Sequence, residues 1–223
     1  GPSLACLAAI GLQSGMQGLK KVWGQLTHFR VQWFWYPFSL AAPPLLMLTA
    51  IEIHTLLGGT GLVFNDPAEI YWMVPVFFMV LIFSVLGEEI GWRGFALPWL
   101  QKRFNALRSS LILGLIWAIW HLPLFWLPGD FHQQLPGIWF LLQTVSITIS
   151  YTWVYNATRG SLWIILLLHA ASNTAFGVLP FLPEMTGGSL RPAWILVLLL
   201  VLASGLVVLI NGPKTLSRQP SDQ

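Results

Sequence analysis

A polytopic bundle of membrane-spanning α-helices is predicted by three observations. The chain is 56% hydrophobic and 9% charged with a mean hydropathy of +0.70, whereas soluble domains average about 25% charged residues. Its apolar residues fall into runs near the ~20 residues that a helix needs to cross about 30 Å of hydrocarbon. Ten of its eleven Lys and Arg residues fall after alternate runs, as the positive-inside rule requires of a polytopic chain.

Six long spans are expected, roughly at Pro37–Leu57, Tyr71–Leu86 continuing into the motif helix, Ser109–Leu127, Gly137–Tyr155, Ser161–Phe181 and Ala193–Ile210. A shorter run, Pro2 to Gln17, makes about seven. It is followed by a basic loop, Leu19–Arg30. The opening Gly1-Pro2 fits the remnant of a cleaved fusion, and the natural chain is expected to begin earlier. The whole of 1–213 is read as one transmembrane domain, with 214–223 as a disordered polar tail.

Lys20, Lys21, Arg30, Arg93, Lys102, Arg103, Arg108, Arg159, Lys214 and Arg218 fall on one side by this reading. Asp66, Glu69, Asp130, Glu184 and the exception Arg191 fall on the other. The basic side is assigned to the cytoplasm, and the net charge of +3 gives no reason to invoke nucleic acid. Of thirteen Trp residues, Trp23, Trp33, Trp35, Trp139, Trp163 and Trp194 lie near span ends, where indoles anchor at the interface. The single Cys6 excludes an internal disulfide and a multi-cysteine zinc site.

Against this background, Glu88-Glu89 stands at the end of an apolar run, where ionisable groups are costly and are retained when paired or lining a cavity. Glu89 and Arg93 are at i and i+4, the favourable order for a helical ion pair. Glu88 points about 100° away around the helix and has no such local partner. Glu89 therefore reads as a structural anion and Glu88 as a free base, unless all three charges form an interfacial network. Trp117 and His121 share a helical face ahead of Pro123, a pattern that a packing histidine also satisfies. His169 and Asn173 share another, with Ala170 and Ala171 permitting close helix approach. An imidazole and a carboxamide aimed at one point suit the oxyanion of an acyl transfer. His28, Glu52, His54 and His132 read as solvated or peripheral, and nothing local singles out Tyr151, Tyr155 or Ser172.

Several intramembrane chemistries lack their residues. There is no His-Glu-x-x-His, no Gly-x-Ser-x-Gly, no paired membrane aspartate, and no Lys in the last span to hold retinal. What remains is a glutamate-activated water attacking a carbonyl.

Three motifs in order carry a resemblance: Glu88-Glu89-Ile-Gly-Trp-Arg93 to Glu-Glu-x-x-x-Arg, Trp117-Ala-Ile-Trp-His121 to Phe-x-x-x-His with Trp for Phe, and His169-Ala-Ala-Ser-Asn173 to His-x-x-x-Asn. Together they resemble the CPBP intramembrane proteases, which include CAAX prenyl endopeptidases of the Ras-converting type and abortive-infection and bacteriocin-processing relatives. The resemblance covers about Tyr71 to Phe181. It implies an eight-helix-type bundle without its first helix, in a bacterial inner membrane, with its site toward the cytoplasmic leaflet. By resemblance, Glu88 activates water held with His121, His169 and Asn173 form the oxyanion site, and Glu89, Arg93 and Trp117 support them. The implied partners are a lipidated or membrane-embedded peptide substrate and the bilayer. A metal-free mechanism is expected, the alternative being zinc on Glu88, His121 and His169. Two other classes stay open: a non-catalytic immunity or chaperone-like membrane protein, and a proton-coupled transporter.

Overall fold

A computed structural model describes residues 1–61 and 71–218. Asp66, Glu69 and the tail from Gln219 lie outside the described residues. Among the described residues, seven helices build an all-α bundle: α1 Pro2–Leu26, α2 Trp35–Leu56, α3 Met73–Gln101, α4 Ala106–Trp120, α5 Gly137–Ala157, α6 Leu162–Val178 and α7 Arg191–Asn211. Five of them, α2, α3, α4 with its following turn to Trp126, α5 and α7, are long and apolar enough to cross a membrane. Their outward faces are apolar, with Phe83 and Leu209 81% and 84% exposed.

The shorter α6, 17 residues, is the central helix. It packs against α1, α2, α3 and α5, and most of its side chains, from Leu162 through Ala171, are buried. Ser161 accepts from the Ile164 N–H at its start, the side-chain cap that satisfies an orphan donor. Pro180 lies just beyond its end, where a helix cannot readily continue.

α1 is longer than the expected run and is broken at Gly15 (φ 53°, ψ −145°), a conformation open to glycine. Lys20 and Lys21 therefore sit on a helix, and the linker to α2 begins only after Leu26. The start of α1 packs on the middle of α3. Ser3 Oγ donates to the Leu86 carbonyl (3.0 Å) and accepts from the Gly91 N–H (3.2 Å). Gly91 permits this approach, since a Cβ there would lie 2.7 Å from the Pro2 backbone.

α3 is one run of 29 residues with wide π-helical turns at Leu81–Val85 and Trp92–Ala96. The second precedes Pro98, whose ring and missing N–H disturb an ordinary α-helical turn. The apolar span does not end at the glutamates. α3 continues thirteen residues past Glu88, about 20 Å at 1.5 Å per residue, so the motif lies in mid-helix.

The basic helix ends do meet at one end of the bundle. Gln101 donates to Asn156 Oδ1, Asn156 to the Thr215 carbonyl, Ala106 N–H to the Lys214 carbonyl, and Ser161 Oγ to the His28 carbonyl. Leu216 is fully buried, so packing extends past residue 213. Arg93 is the exception, being buried within the bundle. Arg191, at the opposite end, donates to the Leu57 carbonyl at the C-terminus of α2 (3.0 Å), where a cation is favourable. Trp23 and Trp33 are exposed as interfacial anchors should be, but Trp35 and Trp139 are core residues. Trp139 satisfies its N–H on the Ala193 carbonyl (2.7 Å).

Candidate active site

The mid-helix segment of α3 offers its two carboxylates to different neighbours. Glu89 and Arg93 are both 0% exposed, and the guanidinium Nη1 donates to Glu89 Oε1 at 2.7 Å. The same oxygen accepts from His169 Nδ1 of α6 at 2.6 Å. One buried carboxylate thus holds an arginine and a histidine. Arg93 Nε and Nη2 have no hydrogen-bond partner. Its guanidinium lies over the rings of Trp117 (4.4 Å) and Tyr151 (4.9 Å), where the electron-rich faces stabilise a desolvated cation.

Glu88 is half-buried, and it has a partner that local spacing does not show. Trp117 Nε1, from α4, donates to Glu88 Oε2 at 2.9 Å. The Trp117 ring also contacts His169 (5.4 Å between centroids) and His121 (5.9 Å). It is therefore the hub that joins the three motifs, beyond the supporting role that the resemblance implies for it. His121 Nδ1 lies 2.8 Å from the Trp117 carbonyl. A carbonyl only accepts, so Nδ1 carries the proton and Nε2 is left as an acceptor. The same argument at His169 puts a proton on Nδ1, facing Glu89.

Asn173 stands four residues along α6 from His169, half-buried. The structure joins Glu88, Glu89, Arg93, Trp117, His121 and His169 through contacts, but shows no such contact for Asn173. Tyr151 and Ser172 belong with the cluster. Tyr151 packs on Trp117 (6.4 Å) and His169 (5.7 Å), and its hydroxyl bonds Ser172 Oγ at 2.9 Å. Their positions on α5 and α6 become meaningful only when the helices are packed together. Tyr155 instead takes a hydrogen bond from Gln25 (2.7 Å).

Two of the peripheral histidines, His54 and His132, are placed differently from expectation. His54 is 2% exposed and its ring nitrogens have no partner, so it does not reach water. Glu52 is exposed as expected. His132 is buried in the turn after α4, with Nδ1 2.5 Å from Asp130 Oδ1 and its ring stacked 5.9 Å from His121. Burial pushes the His132 ring below its usual pKa and outweighs the raising effect of Asp130. Burial alone would raise Asp130. Hydrogen bonds from the His132 backbone and ring hold its carboxyl below the usual range. His28 is half-buried at the basic end.

Among the described residues no three His, Cys, Asp or Glu side chains are grouped to hold a metal ion. Glu88, His121 and His169 each touch Trp117, and both histidines turn Nδ1 rather than Nε2 to a protein acceptor.

Residues 70–175 match the family model of the type II CAAX prenyl endopeptidase, Rce1-like. CAAX prenyl protease 2 of Methanococcus maripaludis is 31% identical over 146 residues, covering 61% of this chain and 54% of that protein. The chain spans about half the length of the curated relative it matches.

Proposed function

We propose that the chain is an intramembrane endopeptidase of the CAAX prenyl type, the family whose model residues 70–175 match. It hydrolyses a peptide bond near the C-terminus of a prenylated, CAAX-type or membrane-embedded peptide. The observation that carries the reading is the separation of the two glutamates. Glu89 is committed to Arg93 and His169, while Glu88 meets one neutral donor, Trp117, and keeps an oxygen for water.

In this mechanism Glu88 takes a proton from a water molecule, and His121 Nε2 accepts a hydrogen bond from the water's remaining O–H. The water oxygen bonds to the scissile carbonyl carbon, whose oxygen gains the negative charge. His169, with Nδ1–H held on Glu89, donates in its imidazolium form from Nε2 to that oxyanion, as does the Asn173 carboxamide. The carbon–nitrogen bond then breaks, and Glu88 returns the proton to the leaving amine. Trp117, Arg93 and Glu89 are positioning residues. No resident metal enters the scheme.

The test is Glu88→Gln in the purified chain, assayed on a prenylated C-terminal peptide. Gln still accepts the Trp117 N–H but cannot take a proton, so cleavage should be lost with melting unchanged. Residual cleavage near the wild-type rate would remove Glu88 as the base. A wild-type chain that cuts no lipidated or membrane peptide would instead favour the non-catalytic or transporter readings.

A further inference from the structure

The connection between α4 and α5 carries a buried histidine that the mechanism above does not use. His132 is 3% exposed, although it sits in a single 3-10 turn, Phe131–Gln134. Polar bonds fix its place. Asp130 Oδ1 accepts from the His132 backbone N–H at 3.0 Å and lies 2.5 Å from the ring Nδ1. An ionised carboxylate only accepts, so Nδ1 carries the proton. Aromatic rings box in the imidazole: Phe131 stacks on it at 4.0 Å between centroids, Phe140 of α5 lies at 4.9 Å and Phe125 at 5.2 Å.

His121 is the ring's further neighbour, stacked at 5.9 Å with 28° between the planes, and it is a side chain in need of support. It caps α4, its backbone N–H turns to the Ala118 carbonyl, and Pro123 follows in the 3-10 turn Leu122–Trp126. Among the described residues its ring has one hydrogen bond, from Nδ1 to the Trp117 carbonyl at 2.8 Å. One bond fixes a distance and leaves the ring free to swing about it. Trp117 meets that ring edge-on at 71° and Phe140 is tilted at 50°. The near-parallel face is the one His132 supplies.

We propose that His132 is a positioning residue for hydrolysis, pinned by Asp130 and holding the His121 imidazole so that Nε2 meets the water that Glu88 activates. This role presumes the endopeptidase proposed above. Groups that act on a reacting atom must be held to within about 0.5 Å and 10–20° by neighbours whose own rotamers are locked. A phenylalanine at 132 would offer a similar face but could not bond Asp130, which gives the histidine its reason.

The test measures kcat and KM of the full chain on a prenylated C-terminal peptide, with melting followed in parallel. His132→Leu removes both the face and the bonds, and should lower kcat roughly tenfold to a hundredfold, the effect of a misplacement approaching about 1 Å. KM should stay within about twofold, since ground-state binding is untouched. His132→Phe keeps a ring and should lose less. In a His121→Gln background the His132→Leu factor should shrink to about one, because nothing remains to be positioned. Asp130→Ala unpins the ring and gives a weaker loss of the same kind if His132→Leu fails to fold. Unchanged kcat overturns the proposal, and so does a loss that persists undiminished in the His121→Gln background. Nitrogen-15 NMR of the histidine rings reads the contact without turnover, including where His121→Gln is too slow to assay. His121 should hold a single Nδ1–H tautomer in the wild type and average between tautomers in His132→Leu. A wild-type chain that cuts no peptide but shows this change would sink the endopeptidase reading and leave the positioning of His121 intact. A His121 tautomer indifferent to residue 132 overturns the positioning itself.

Discussion

Replacing Glu89 with glutamine should unfold the protein more readily than any other isosteric change at the cluster. The carboxylate and Arg93 are both fully buried, and Glu89 Oε1 serves two donors at 2.7 and 2.6 Å. Removing one partner of a buried pair costs about 3–5 kcal/mol, since the remaining charge is left uncompensated. The Trp117 and Tyr151 rings that face Arg93 are present in both proteins and offset none of this difference. Gln retains a carbonyl oxygen that can accept from one of the two donors, which places the loss at the lower end, about 3 kcal/mol. For a chain of this size that lowers the melting temperature by on the order of 10 °C. Cys6 supplies the assay: it is the single cysteine and is 6% exposed, so a thiol-reactive fluorogenic dye reports its release on heating. A Glu89→Gln melting curve within roughly 2 °C of wild type would refute the assignment of Glu89 as the structural anion. Glu88→Gln is the control. Glu88 is half-buried and Gln keeps its hydrogen bond from Trp117, so the two variants should lose activity together but differ in melting.

Three further outcomes follow from particular contacts. Trp117→Phe removes the indole donor to Glu88 but keeps the ring over Arg93. Turnover should fall roughly tenfold to a hundredfold, the effect of losing about 1.5–3 kcal/mol of a charged hydrogen bond, with a smaller change in melting than Glu89→Gln; unchanged turnover would show that Trp117 does not position Glu88. Gly91→Ala places a methyl group 2.7 Å from the Pro2 backbone and should destabilise by about 1–3 kcal/mol, with earlier dye labelling of Cys6; a wild-type labelling curve would show that α1 docks elsewhere. The turn at Asp130–His132 should loosen on acidification. His132 is lowered, so its contribution is complete above the unfolded value of about 6.5 and is lost as pH falls through the lower folded value. Asp130 is also lowered, and its contribution is lost below about 3.9. Amide exchange across residues 130–136 should therefore rise, after correction for intrinsic rate, from pH 7 to pH 4. Protection that is flat, or greater at acid pH, would contradict the sign.

Much of the scaffold was legible because lipid imposes simple rules. The spans and their alternation follow from apolar run length and basic residues, and Glu89–Arg93 follows from helical spacing alone. Trp117 to Glu88, His169 to Glu89 and Ser3 to Gly91 lie 29, 80 and 88 residues apart, and no local periodicity encodes contacts between helices. The family motifs marked most of those residues without supplying their partners. The placing of the glutamates at the end of an apolar run has a physical cause. Hydropathy scores a residue as though it faced lipid, so Glu88, Glu89 and Arg93 read as the end of a span. In the bundle, Arg93 and His169 satisfy Glu89 inside the protein, two aromatic faces cover the guanidinium, and the helix runs on to Gln101. The same reasoning accounts for Trp35, Trp139 and His54, which lie at span ends in sequence yet are buried where helix ends pack together. Polarity that breaks a hydropathy profile without ending a helix must be neutralised within the bundle. That is why the charges most damaging to the span prediction lie where the three motifs converge.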